Sequence, residues 1–148
     1  MRRIVVGVDD PSESNELIDW AARLAAEFHA AITIVHAVHR SEGWVLASAQ
    51  LDYVRYIRSA RRRMYDDVVT PLRARGLAVD LRVELGDPAH RIAATARQTG
   101  AEVIVLGTTP HGPFRELVAG GVEHRLERLV EIPVVVVPNH RVSEHVSS

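Results

Sequence analysis

The sequence predicts an α/β fold, an open doubly wound five-stranded parallel sheet with helices on both faces. Three observations lead there. Short β-branched runs with almost no polar alternation recur along the chain, which is how strands covered on both faces read. Segments with apolar residues at helical spacing separate them. Strand-like and helix-like segments alternate through residue 138, the order from which parallel crossover units are built. A chain of 148 residues is long enough for one such domain with a sizeable core.

The elements follow in order. "RIVVGV" (3–8) is the first strand and runs into an acidic turn, so the beginning of the chain is expected to be a strand and not a signal peptide. "DPSE" (10–13) reads as an aspartate N-cap, proline at the first helical position and a glutamate completing a capping box. The helix it opens carries Leu17, Ile18, Ala21, Leu24, Ala25 and Phe28 on one apolar stripe, with Trp20 packing beside them. "AITIVHAV" (31–38) is the second strand. A long helix is predicted over about 47–75, with Leu51, Val54, Ile57, Met64, Val68 and Leu72 inward and Pro71 kinking the last turn. In "LAVDLRVE" (77–84), Val79, Leu81 and Val83 alternate with Asp80, Arg82 and Glu84, the pattern of an edge strand with one wet face. "GDPAHRI" (86–92) opens a third helix that ends at Gly100 as its C-cap. "EVIVLG" (102–107) is a buried strand, a fourth helix runs from near Gly120 to before Pro133, and "PVVVV" (133–137) closes the sheet. The domain spans 1–138, and 139–148 form a polar C-terminal tail.

Composition excludes several chemistries. All 18 basic residues are arginine, so a Walker-type phosphate loop and Schiff-base catalysis are both ruled out for want of lysine. With no cysteine there are no disulfides, thiolate metal sites or thiol nucleophiles, and a cytoplasmic location is expected. A formal net charge of −1 gives no reason to expect nucleic acid, and no apolar run approaches the roughly 20 residues of a membrane span. The eight histidines, His36, His39, His111 and His124 among them, show no ligand spacing; His36 is expected to be packed and satisfied, and no metal is expected except Mg²⁺ accompanying a nucleotide. No nucleophile elbow is present, and a phospho-receiver site would need a lysine. No enzymatic function is expected.

In such a sheet ligands bind beyond the carboxyl ends of the strands, where the strand order reverses. The loops that matter are therefore 8–12, 37–47 and 107–122. Here the residues resemble the universal stress protein family over nearly the whole chain: "IVVGVDDPSES", "ITIVHAV", "VELGDPAHRIAATARQTGAEVIVLGT" and "GGVEHRLERLVEIPVVVVP" stand in the family's order and spacing. The resemblance implies the strand order 3-2-1-4-5 and a stress-linked regulatory role. It also implies a homodimer formed through the last strand, Val134, Val135, Val136 and Val137. That run independently asks for a cover, because an apolar edge invites pairing.

Many members of the family bind ATP through Gly-x2-Gly-x9-Gly-Ser/Thr after the fourth strand. Glycines let the backbone approach phosphate oxygens, and the hydroxyl donates at a helix N-terminus. Carried onto this chain, the first glycine is Gly107 and the third is Gly120, but the second is Pro110 and the Ser/Thr is Gly121. Proline has no N–H and a fixed φ. Glu123 adds a carboxylate in the first helical turn; at about 5 Å and an effective dielectric near 20 it opposes a phosphate charge by on the order of 3 kcal/mol before screening. The implied site is thus degenerate. The resemblance implies Asp9 at the ribose, backbone near Val8 and Ala37 at adenine, and Gly107, Gly112, Gly120 and Gly121 at phosphate, with Arg115 as a supplementary cation and Thr108 and Val122 also among the nucleotide-binding residues. ATP or AMP is the expected ligand. The alternative is a nucleotide-free dimeric interaction protein whose 107–122 loop is structural.

Two further features are read as structural. "RSARRRMYDDV" (58–68) places Arg62–Asp66 and Arg63–Asp67 at i,i+4, which predicts a salt-bridged solvent face in preference to a patch for RNA or an acidic partner. Trp44 lies at the rim, either over a ligand or partly buried in its loop.

Overall fold

A computed structural model describes residues 2–9, 11, 14–38, 49–107 and 122–138, excluding the side chains of 49–52 and 122–124. Five strands form one sheet: β1 (Arg3–Gly7), β2 (Ala31–Val38), β3 (Val79–Leu85), β4 (Val103–Gly107) and β5 (Val134–Val137). Their order is β3-β2-β1-β4-β5, all parallel, as expected. The helices are α1 (Asn15–Phe28), α2 (Ala49–Met64), α3 (Thr70–Ala74), α4 (Pro88–Thr99) and α5 (Val122–Leu129).

The strands read as continuous apolar runs because both faces are covered. On one face Ile4, Val6, Ile32, Ile34, Val103 and Val105 pack with Leu17, Ala21 and Ala25 of α1 and with Met64, Val68 and Leu72. On the other, Val5, Val35, Ile104 and Leu106 pack with Ala89, Ile92, Ala93 and Ala96 of α4 and Leu126 of α5. Gly7 belongs to the second interface: a Cβ there would stand 2.6 Å from Leu106 Cδ2 and 2.9 Å from Ile92 Cδ1. A side chain at residue 7 would make Leu106 of β4 and Ile92 of α4 shift, so glycine suits this close packing.

The α1 start differs from the expected capping box. Pro11 is buried in a 3₁₀ turn, Ser14 Oγ donates to the Pro11 carbonyl at 2.8 Å, and the helical ladder begins only where Ile18 N donates to Ser14 O at 2.9 Å. Asp10, Ser12 and Glu13 lie outside the described residues. Phe28, expected on the buried stripe, is 48% exposed, whereas Trp20 packs half-buried against the core. A 14-residue helix is about 21 Å long and β1 only about 17 Å, so the last turn of α1 overshoots the sheet.

The predicted long helix is interrupted. Tyr65–Val69 form a π turn in which Thr70 N donates to Tyr65 O. The turn stands just before Pro71, which lacks an N–H and whose ring would clash with the carbonyl four residues back in an unbroken helix. Two expectations fail here. The extra residue rotates Asp66 and Asp67 out of the i+4 positions of Arg62 and Arg63, and no ion pair joins either couple among the described residues. The buried line runs back from Met64 through Ala60, which leaves Val54, ten residues before Met64 and about 80° off that line, 48% exposed.

The remaining elements match more closely. Asp87 caps α4 with Pro88 at its first position, and Gly100 ends it in the left-handed conformation (φ 67°). On β3, Val79 and Leu81 are buried and Asp80 is exposed, while Arg82 and Glu84 are half-covered because the α4 side chains Gln98 and Arg91 lie against them.

Candidate functional site at the carboxyl rim

The chain winds outward from β1 through β2 to β3 on one side, then crosses back to place β4 on the other side of β1. The strand order reverses between β1 and β4, and in open α/β sheets ligands bind beyond the carboxyl ends of the strands at that point. Register sets the level of each predicted residue. Gly7 pairs with Val35 on one side and with Leu106 on the other. Val8 and Asp9, Ala37, and Gly107 thus emerge together at the rim of three adjacent strands.

Their local chemistry is uneven. Val8 is buried, its N–H donates to Val35 O at 2.9 Å, and its carbonyl accepts from His36 Nδ1 at 2.9 Å. A carbonyl can only accept, so Nδ1 carries the proton and His36 is the satisfied core histidine expected. The Val8 backbone donor is thus used by the fold, and its carbonyl retains one lone pair. Asp9 is half-buried. Ala37 pairs opposite Glu84 and is buried, and the next carbonyl, of Val38, accepts from Gly86 N at 3.1 Å. Gly107 ends β4, and a Cβ on it would meet Leu17 Cδ2 at 3.1 Å, so helix packing alone already favours glycine there.

Thr108, Pro110, Gly112, Arg115, Gly120 and Gly121, with Trp44 and His39, lie outside the described residues. Val122 begins α5. Among the described residues no group of three His, Asp or Glu side chains could hold a metal ion, and no helix is long and apolar enough to cross a membrane.

One cluster at this rim escaped the sequence reading. Asp87 Oδ2 accepts from the backbone of His90 at 3.1 Å, from His90 Nδ1 at 2.8 Å, and from Arg125 Nη2 of α5 at 2.7 Å. Partial burial pushes the Asp87 carboxyl up, but the His90 hydrogen bonds and the Arg125 guanidinium outweigh it and hold it below the usual value. The capping signal Asp-Pro-x-His was legible; the arginine 38 residues further on carried no local signal. The contact ties the first turn of α4 to α5, the helix that follows the 107–121 stretch.

Fold and rim together define a single-sheet doubly wound α/β domain whose candidate ligand segments follow the first, second and fourth strands in the chain. The Usp model, described as the universal stress protein family, matches residues 1–138, and the chain belongs to that family. It is 24% identical over 150 residues to universal stress protein YxiE of Bacillus subtilis, covering 91% of this chain and 97% of that one. Among solved structures, a universal stress protein family member from Burkholderia pseudomallei superposes with a TM-score of 0.66 at 29% identity, covering 92% of this chain and 95% of its own. A universal stress protein in complex with cAMP matches at 0.58 and 23%, covering 93% and 97%. One from Archaeoglobus fulgidus in complex with dAMP matches at 0.59 and 19%, covering 92% and 97%.

Proposed function

We propose that this protein is a stress-response regulatory module with a degenerate adenine-nucleotide site, for ATP or AMP, between the carboxyl ends of β1 and β4, and with no catalytic machinery. The observation that carries the reading is the convergence of Asp9, Ala37 and Gly107 at one level of the rim, at the point where the strand order reverses. That relatives of this fold are described in complex with cAMP and dAMP supports an adenine mononucleotide. Within this reading Asp9 holds the ribose, the rim at Val8 and Ala37 flanks adenine, and the backbone from Gly107 to Val122 meets phosphate, aided by Arg115. Pro110, Gly121 and Glu123 favour one phosphate over three. The test is mass spectrometry of small molecules released from freshly purified protein, followed by thermal shift with AMP and ATP. An adenine nucleotide in the extract, or a shift larger for AMP than for ATP, is the expected result. An empty protein that ignores both at millimolar concentration sinks the reading.

Two observations favour the second reading, a nucleotide-free interaction protein of the same family. The Val8 N–H is engaged within the fold, and glycine at 107 is already favoured by the close packing of Leu17. Both readings share a homodimer through β5 and a cytoplasmic setting. The dimer is supported by β5 having β4 as its single strand neighbour among the described residues, and by an open groove of about 340 Å³ beside it, lined by Trp20, Arg23 and Val135 to Pro138.

A further inference from the structure

We infer that the outer face of α2, built on Arg55, Arg58, Arg62 and Val54, is a docking surface for a short acidic and partly apolar segment of a protein partner. The helix carries five arginines, Arg55, Arg58, Arg61, Arg62 and Arg63, against one aspartate, Asp52, in a chain whose net charge is −1. All five are exposed, and none forms an ion pair among the described residues. For Arg62 and Arg63 the π turn at Tyr65–Val69 is the reason: it rotates Asp66 and Asp67 away from the positions that would have neutralised them. Arg61 lies instead over the Tyr65 ring at 5.7 Å, a ring that Arg73 shares at 5.8 Å. Spacings of three and four put Arg55, Arg58 and Arg62 on one face, with Val54 one turn before Arg58.

Apolar exposure coincides with this charge. Three large apolar or aromatic side chains are markedly exposed among the described residues, and one of them, Val54 (48%), lies on the arginine face of α2. Arginine around an exposed apolar side chain is a combination found at protein interfaces. A membrane surface is disfavoured, because the helix's own apolar side, Ala60 and Met64, is already buried in the core and cannot insert. A nucleic acid is disfavoured too. The helix is about 24 Å long, and a polyanion running past it would meet a remainder of the chain that is net acidic. A short segment with carboxylates matching the arginines and a leucine or phenylalanine for Val54 fits both the charge and the length.

The test uses the full chain and a fluorescent 12-residue peptide repeating Glu-Glu-Leu-Phe, with polyglutamate of the same length, a 12-nucleotide oligothymidylate and phosphatidylserine vesicles as comparators. By anisotropy the acidic–apolar peptide should bind several-fold tighter than polyglutamate and more tightly than the other comparators. Arg58→Glu with Arg62→Glu should weaken it about ten-fold or more, as should 0.5 M salt, and Val54→Ser should weaken it about two- to three-fold. Because neither arginine holds an ion pair, the double variant should melt like the parent, which separates lost docking from lost folding. No peptide binding at millimolar concentration overturns the inference, as does binding that ignores the charge reversal. Oligothymidylate, polyglutamate or vesicles held as tightly as the peptide would overturn it equally.

Discussion

Arg125 Nη2 of α5 sits 2.7 Å from Asp87 Oδ2, the same oxygen that caps α4 through His90. One carboxylate therefore joins the starts of two helices that both point at the carboxyl rim. Its value is local, because the Asp87 and Arg125 side chains are 33% and 45% exposed and such pairs are worth at most about 1 kcal/mol. Asp87→Asn, which keeps a capping oxygen, should cost about 0.5–1 kcal/mol in urea denaturation at pH 7. Asp87→Ala, which loses the cap as well, should cost about 1–2 kcal/mol.

The same carboxylate predicts a pH dependence with a definite sign. Its folded pKa lies below the unfolded one, so its contribution is fully present above the unfolded value, near about 3.9, and is lost as pH falls through the folded value. The stability gap between parent and Asp87→Asn should therefore shrink as the pH falls below about 4. A gap that keeps widening below that pH would contradict the assignment.

Gly7→Ala should destabilise the fold by about 1–3 kcal/mol, measured by the urea midpoint, because Leu106 and Ile92 already occupy the space. The loss should appear with or without nucleotide, since the residue lies beneath the rim and not in it.

Thr95 is fully buried in α4 with its hydroxyl unpartnered among the described residues. Thr95→Val removes an unsatisfied polar atom at nearly constant volume and should stabilise the protein by about 1 kcal/mol. A thermal melt that falls would show that the hydroxyl has a partner.

If β5 is the dimer edge, Val136→Lys should convert the dimer into 16.4 kDa monomers in light scattering while leaving the far-ultraviolet spectrum unchanged. A variant that remains dimeric would place the interface elsewhere, and a parent that is already monomeric would overturn the dimer.

The sequence by itself determined the fold class, because burial on two faces writes itself locally, while the strand order came from the family resemblance. Ile4 to Val8, Ile32 to Val38 and Val103 to Leu106 have no polar alternation, Val79 to Glu84 do, and that difference alone separated inner strands from the wet edge. The α4 cap and its terminating Gly100 were legible for the same reason: capping is settled by neighbours a few residues apart. Tertiary structure decided what depends on distant residues or on a change of helical register. Asp87 met Arg125 only because α4 and α5 pack side by side. Gly107 proved to be a packing glycine only once Leu17 lay over it. The arginines of α2 looked self-neutralised at i,i+4 spacing, and a single π turn before Pro71 undid that pairing, since one inserted residue rotates every side chain beyond it.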